Sequence, residues 1–452
     1  MTTVHRAGPL FTDLYELTMA ASYYANRIFA PATFSLYIRP CRTERNFYVA
    51  AGLNQVLDEL ASFRFSAQDI NYLQTTKRFS TDFLAYLTQL RFSGQVFAMS
   101  EGTIFFADEP VIEITAPIIE AQLLETFLLN TIGFQTIIAS KAARCFHAAA
   151  GRPLIDFSLR RTQGRDAGIK VARSTFLAGF EGTSNVLAGK IYDIPVSGTM
   201  AHSYISAFNS ELEAFAAYAD TFPDHSIFLI DTYDTLEGAK NAVAVAKEMQ
   251  QRGHALIGVR LDSGDMADLS RKVRKILDDA GLYDVKIFAS SGFDEFKIAK
   301  VVSQGARIDA FGVGTKVGVS ADAPYVDIVY KMVRFNGRDV RKLSPGKSTL
   351  AGKKQVFRRS DQKGRYTEDI IGLKDESIEG GRPLLELVMA DGKILRPPPS
   401  LRAAQAKFKK SFALLNDRYK SIEDHNAYPV KLSRRLEELQ KQTEHRTSNV
   451  QR

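Results

Sequence analysis

Two rhythms of apolar and polar positions divide the chain. From residue 10 to 92 apolar residues recur at helical spacing between short polar connections, as in GLNQVLDELASF. Thr12 or Asp13, Ser66 and Ser80 stand where N-caps would. QVFAMSEGTIFFADEPVIEIT (95–115) is β-branched and aromatic with turn residues between, which predicts short antiparallel strands. Residues 118–149 return to helical spacing and are very apolar, as central helices are. From about 153 the second rhythm begins. PLIDFSL, IYDIPV, SIFLID, ALIGVRL, VKIFAS and IDAFGVG alternate with amphipathic helical segments. Such alternation builds β/α units on a parallel sheet, either a barrel or an open doubly wound sheet.

After about 335 that rhythm stops. FNGRDVRKLSPGKSTLAGKKQVFRRSD is basic and turn-rich, and LLELVMADGKIL predicts two strands around an Asp391-Gly392 turn. PPPS (397–400) is a stiff spacer. Residues from Leu401 to about Gln442 read as a charged amphipathic helix or pair, ending in a disordered tip.

Each β/α run is followed by polar residues, at the strand end where α/β proteins gather their ligands. VSGTMAHSY (196–204) follows the run IYDIPV, expected as a strand. An amphipathic helix is expected to start at once, with Ala201, Tyr204, Ile205, Phe208, Leu212 and Phe215 at helical spacing. A helix start disfavours an imidazolium, so His202 would stay neutral beside a loop whose N–H groups can hold an anion. It could then act as phosphoryl acceptor or general base, or be a structural histidine bonded to a loop carbonyl.

DFSLRRTQG brings out Arg160 and Arg161, of which strand alternation would aim one into a site. RLDSGD (260–265) sets Asp262 and Asp265 on a tight turn. The pair could accept sugar hydroxyls or hold Mg²⁺, or simply cap a helix. In FASSGFDE and FGVGT, Gly292 and Gly314 would let the backbone approach a phosphate.

The 452 residues suffice for two or three domains, and a net charge of +8 spread along the chain suits an anionic substrate. No Lys/Arg stripe with interleaved aromatics points to nucleic acid. Cys41 and Cys145 lie far apart without a CxxC, which argues against a disulfide framework or zinc site and suits a cytoplasmic protein. The N-terminus lacks the apolar segment of a signal peptide, and no apolar run is expected to cross a membrane.

Together these pieces resemble the nicotinate phosphoribosyltransferase family. The resemblance rests on FTDLYELTM, LLETFLLNTIGFQTIIASKAAR (123–144), SLRRTQG, FEGTSNVLAGKIYDIPVSGTMAHS, LIDTYDT, GVRLDSGD, FGVGT and GKKQVFRR (352–359). It runs from Thr12 to beyond Arg358, and the last fifty or so residues carry none of it. It implies an α/β fold of type II phosphoribosyltransferase architecture: an irregular, TIM-like β/α barrel over 131–335 and a second α/β domain built from 1–130 and 336–400. Residues 401–452 would form a charged helical tail. It also implies a head-to-tail homodimer with shared active sites.

The implied reaction joins nicotinate to C1 of phosphoribosyl pyrophosphate, releasing pyrophosphate, with Mg²⁺ and with ATP as co-substrate through a phosphorylated His202. By motif, Arg160 and Arg260 would grip the nicotinate carboxylate and sugar phosphates. Tyr15 would stack on the pyridine from the partner subunit, with Asp13 beside it. Gly198 and Ser203 would line the phosphate loop. Asp231, Asp262 and Asp265 would hold ribose hydroxyls or Mg²⁺, and Gly292, Gly314 and Thr315 the 5′-phosphate. The alternatives are a nicotinamide or quinolinate phosphoribosyltransferase of the same fold, a barrel phosphosugar enzyme, or a non-catalytic nucleotide-binding protein.

Overall fold

The computed structural model describes residues 8–40, 45–344 and 348–450, with side chains to 444. Cys41 and the extreme C-terminal tip lie outside the described residues. The chain forms two compact units, one of 1–139 with 325–452 and one of 140–324.

The first unit is built on a seven-stranded antiparallel sheet. Its order is 338–339, 328–335, 31–38, 110–117, 95–98, 386–390, 393–394. The short strands expected in 95–115 are found as Gln95–Ala98, Ile104–Phe105 and Pro110–Pro117. The Asp391-Gly392 hairpin has φ of 51° and 69°, as a primed turn requires. Ser66 closes a capping box on Ala67–Thr75, and Ser80 accepts from Phe83 N. Asp13 precedes Leu14–Ala25 without a side-chain cap bond, because its Oδ2 accepts from Thr126 Oγ1 (2.8 Å). A second sheet runs 382–383, 354–360, 366–373, 430–432. Fully buried Leu36, Ile38, Val56, Leu87, Val96, Ile114 and Leu128 centre the core.

One expectation about membranes changes. The helical stretch Ile118–Ala148, 31 residues with an apolar window of mean hydropathy 1.2, is long and apolar enough to cross a bilayer. Of that window 78% is buried inside the protein, as in a core helix.

The second unit carries a six-stranded, all-parallel sheet of order 182–183, 154–156, 310–313, 286–289, 258–261, 227–229. The edge strands of this sheet are 182–183 and 227–229, which follow one another in the chain. The loop carrying His202 belongs to the connection between them.

Two elements differ from expectation there. IYDIPV is not a strand: Asn185 Oδ1 accepts from Ala188 N and caps a helix, Val186–Tyr192, which ends at Asp193 with φ 54°. The strand in this stretch is Gly182–Thr183, and of IYDIPV only Val196 bridges to it. The helix expected from Ala201 to Phe215 is two, His202–Ile205 and Glu211–Thr221. Ser210 accepts from Glu213 N and starts the second helix afresh, and Asn209 Nδ2 donates to Glu213.

Candidate active site

The site is assembled from the carboxyl ends of the parallel strands. Asp156, wholly buried, ties two of them together: Oδ1 accepts from Ser158 N (2.9 Å) and Oδ2 from Thr183 Oγ1 (2.7 Å). Burial pushes its carboxyl pKa up. The chain then leaves the strand as a 3-10 turn, Leu159–Arg161, with both arginines exposed. Strand alternation therefore does not choose between Arg160 and Arg161.

Arg260 lies on Gly258–Leu261, in register with Leu229 and Phe288. Its Nη1 donates to Thr199 Oγ1 at 2.5 Å, while Nε is buried without a partner. Burial lowers its pKa, Asp262 and Asp231 raise it, and the charge of Arg160 lowers it further. A guanidinium stays charged under such pressure, so Arg260 is a cation held ready for an anion.

Asp231 Oδ2 accepts from Asp262 N (2.9 Å) and Ser263 Oγ (2.5 Å), and its Oδ1 is buried and unpartnered. Asp262 Oδ1 accepts from Ser290 Oγ, and Oδ2 lies 3.9 Å from His202 Nε2. His202 Nδ1 is 3.1 Å from Thr232 Oγ1. If Thr232 takes the Nδ1 proton, the Nε2 lone pair faces outward beside Asp262. The helix that starts at His202 has four residues, too few for the macrodipole argued from the sequence. The tie to Thr232 fixes the ring's orientation. Gly198, with no atom within 4 Å of a built Cβ, and Ser203 are exposed on the same loop.

Asp265 uses one of its two oxygens as a helix cap, the alternative its position also allowed. Its Oδ1 accepts from Ala267 N (3.0 Å) and Asp268 N (3.1 Å), capping Met266–Asp279. Those backbone bonds hold its pKa below the usual range. Among the described residues no group of three or more His, Cys, Asp or Glu side chains is placed to hold a metal.

At the next strand end Ser291 and Gly292 take φ of 122° and 60°, and Lys297 Nζ donates to Ser291 O (2.6 Å). Gly314 and Thr315 open a four-residue helix, and a Cβ on Gly314 would come 3.3 Å from Phe157 O. Lys316 Nζ bonds Asp294 Oδ2 (2.6 Å). Glu295 is fully buried between Lys141 (2.5 Å) and Arg144 (2.8 Å), with Asp322 also on Lys141 (2.8 Å).

Asp13 and Tyr15 belong to the first unit. Tyr15 is 45% exposed, and partial burial followed by the charge of Glu125 raises its phenol pKa. Sequence reasoning did not single out the Asp156 carboxylate or the Thr199, Thr232 and Ser290 hydroxyls. An acid inside an apolar run (PLIDFSL) was the available signal for the first, and adjacency to Asp231 for Thr232.

Residues 10–133 match the N-terminal domain of the nicotinate phosphoribosyltransferase (NAPRTase) family, 153–367 the nicotinate phosphoribosyltransferase (NAPRTase) family proper, and 381–440 its C-terminal domain. A nicotinate phosphoribosyltransferase of Mycobacterium tuberculosis is 46% identical over 431 residues, covering 95% of this chain and 92% of that one. That of Bacillus subtilis is 39% identical over 455 residues, covering 94% and 92%. The crystal structure of human nicotinic acid phosphoribosyltransferase matches with a TM-score of 0.85 at 28% identity, over 95% of this chain and 99% of that one.

Proposed function

The chain belongs to the nicotinate phosphoribosyltransferase family, an enzyme family of NAD biosynthesis, and we propose that it couples ATP hydrolysis to the joining of nicotinate and phosphoribosyl pyrophosphate. The observation that carries the reading is His202, set between Thr232 and Asp262 with Arg260 anchoring its loop. Nicotinate nitrogen forms the bond to C1 as the C1–O bond to pyrophosphate breaks. Oxocarbenium character grows on the sugar and negative charge on the leaving group. Arg260 and Arg160 answer the negative charge, and Asp231 and Asp262 the positive.

In the ATP half-reaction, His202 Nε2 attacks the γ-phosphorus and ADP leaves, giving a phosphohistidine later hydrolysed to phosphate. Asp262 offsets the positive charge that grows on the ring. The unpartnered oxygen of Asp231 and the free oxygen of Asp262 are the hard donors that suit Mg²⁺. Asp265, one oxygen already capping a helix, is the weaker candidate. Bound there, Mg²⁺ would neutralise pyrophosphate charge.

The order of the six parallel strands, with consecutive strands 182–183 and 227–229 at its two edges, supports the reading of an irregular β/α barrel opened between them. The exposed Tyr15 suits a head-to-tail homodimer in which the partner's Tyr15 and the partner's Asp13 cover the pyridine. Gly198, Ser203, Gly292, Gly314 and Thr315 line the phosphates. With no disulfide called for, we place the enzyme in the cytoplasm.

The test offers phosphoribosyl pyrophosphate and Mg²⁺ with nicotinate, nicotinamide or quinolinate, each with and without ATP. Nicotinate mononucleotide from nicotinate alone, faster with ATP, is expected. His202→Ala is expected to lose ATP hydrolysis and keep a slow, ATP-insensitive synthesis. Product from nicotinamide would move the carboxylate role off Arg160.

A further inference from the structure

In the first unit, strand Ile328–Phe335 with its return at Asp339, the Gly352-Lys353 turn, the end of Tyr366–Leu373 and the helix from Arg434 enclose a cleft of about 670 Å³. Its charged lining is Arg334, Lys353, Lys374 and Arg435 against Asp339 and Asp375. Both acids are taken: Arg334 Nη1 bonds Asp339 Oδ1 (3.1 Å) and Arg435 Nη2 bonds Asp375 Oδ2 (2.9 Å). Lys353 and Lys374 pair with no carboxylate among the described residues. They are neighbours, since Lys374 N donates to Lys353 O (3.0 Å). Glu113, whose charge reaches both, is buried and bonded to Lys354 and Ser35.

We propose that this cleft binds a small oligophosphate anion, of the pyrophosphate or nucleoside triphosphate class. None of its lining belongs to the strand ends that carry the catalytic reading, so it stands apart from that reading. Two half-buried ammonium groups side by side repel one another, and a multiply charged anion removes that repulsion. The paired guanidiniums can turn to phosphate oxygens bidentately. Leu373, Leu439 and Gly352 supply an apolar wall, and the volume is that of a small-ligand site. Burial and neighbouring cations depress both lysines, Lys374 to about 8. Lys374 meets Lys353 and Glu113 electrostatically and the Phe97 ring at 2.7 Å, with Arg334, Arg435, Asp339 and Asp375 lining the same cleft. An anion raises its pKa, so binding at pH 8 takes up protons.

The experiment is calorimetric titration of the whole protein with tripolyphosphate and with a non-hydrolysable ATP analogue. It is run at pH 8 in two buffers of different ionisation enthalpy, on wild type and on the Lys353→Gln, Lys374→Gln double variant. The double variant is expected to lose one binding site per chain together with the proton uptake, and to keep wild-type turnover at saturating substrate. Arg435→Gln, at the exposed rim, should weaken the same site about tenfold and serves if the double variant does not fold. Tighter binding of the nucleotide than of tripolyphosphate assigns the apolar wall to a base, and equal binding assigns the site to the phosphate chain. Unchanged stoichiometry and proton uptake in the folded double variant, or no such site in wild type, overturns the proposal.

Discussion

His202 and Asp262 face each other with 3.9 Å between Nε2 and Oδ2, while the far side of the imidazole is tied to Thr232 at 3.1 Å. The ring is oriented by a hydroxyl and leaves its other nitrogen for chemistry.

On the proposed phosphohistidine route, Thr232 acts through His202 as a positioning residue. Thr232→Val removes the hydroxyl and keeps the shape, and should slow ATP hydrolysis about tenfold with little change in the KM for nicotinate. Thr232→Ser should restore most of the rate. Steady-state ATPase and synthesis assays check this, and an unimpaired Val variant would show that the hydrogen bond does not orient the ring.

Arg260 bonds Thr199 through Nη1 and leaves Nε buried and unpartnered. Lys can supply the charge but not the fork, so Arg260→Lys should lower kcat/KM for phosphoribosyl pyrophosphate about 10²-fold, or about 2.7 kcal/mol. Thr199→Ala, which frees the loop but keeps the cation, should cost about tenfold less than that. Equal losses would mean that Arg260 acts only by holding the loop.

Local rules recovered much of this. Ser66 and Ser80 cap, Asp391-Gly392 turns, and five of the six apolar runs supply parallel strands because each obeys its own periodicity. IYDIPV misled because a cap lies just upstream: Asn185 commits the segment to a helix that apolar content alone does not reveal. Asp265 shows the converse, a motif residue whose oxygen serves a helix. Thr199 and Thr232 were invisible because their partners, 61 and 30 positions away, meet them only in the folded sheet. The family resemblance supplied what periodicity could not, the choice of chemistry.

A buried acid gives a pH test. Glu109 is fully enclosed, and burial first, then the Asp369 charge, hold its pKa well above the usual carboxylate range. Its Oε2 accepts from Phe106 N (2.9 Å), and a proton on the carboxyl relieves its repulsion with Asp369, which binds Arg358 (2.9 Å to Nε). Below the unfolded pKa both states carry the proton. As pH rises the unfolded chain ionises first, so stability is lost up to the folded pKa. Glu109→Gln keeps a donor and an acceptor, and should raise Tm by an amount that grows from pH 5 to pH 8. Asp369→Asn should instead destabilise by about 3–5 kcal/mol, since it strands the Arg358 charge. Calorimetric melts across pH test both, and a Gln variant with no pH-dependent gain would contradict a protonated Glu109.

Gly238 tests how the site is held. It lies in helix Thr235–Gln251, and a Cβ there would come 2.1 Å from Ile230 O, the carbonyl just before Asp231 and Thr232. Ile230 N is itself bonded to Arg260 O (3.1 Å), so the carbonyl can retreat only by straining the sheet. Gly238→Ala should therefore cost about 3 kcal/mol. It should also lower kcat at temperatures where the variant is still folded, because the displaced strand end carries Asp231 and Thr232. Gly253 supplies the control: its φ is 82°, with nothing within 4 Å of a built Cβ. Ala there meets only backbone strain, about 1 kcal/mol, and should leave kcat unchanged. Melting curves and turnover at 25 °C on the two variants separate the effects. Equal costs would mean that the helix shifts to make room at 238 without straining the strand end. A destabilised Gly238→Ala with wild-type kcat would mean that the strand end does not follow its helix.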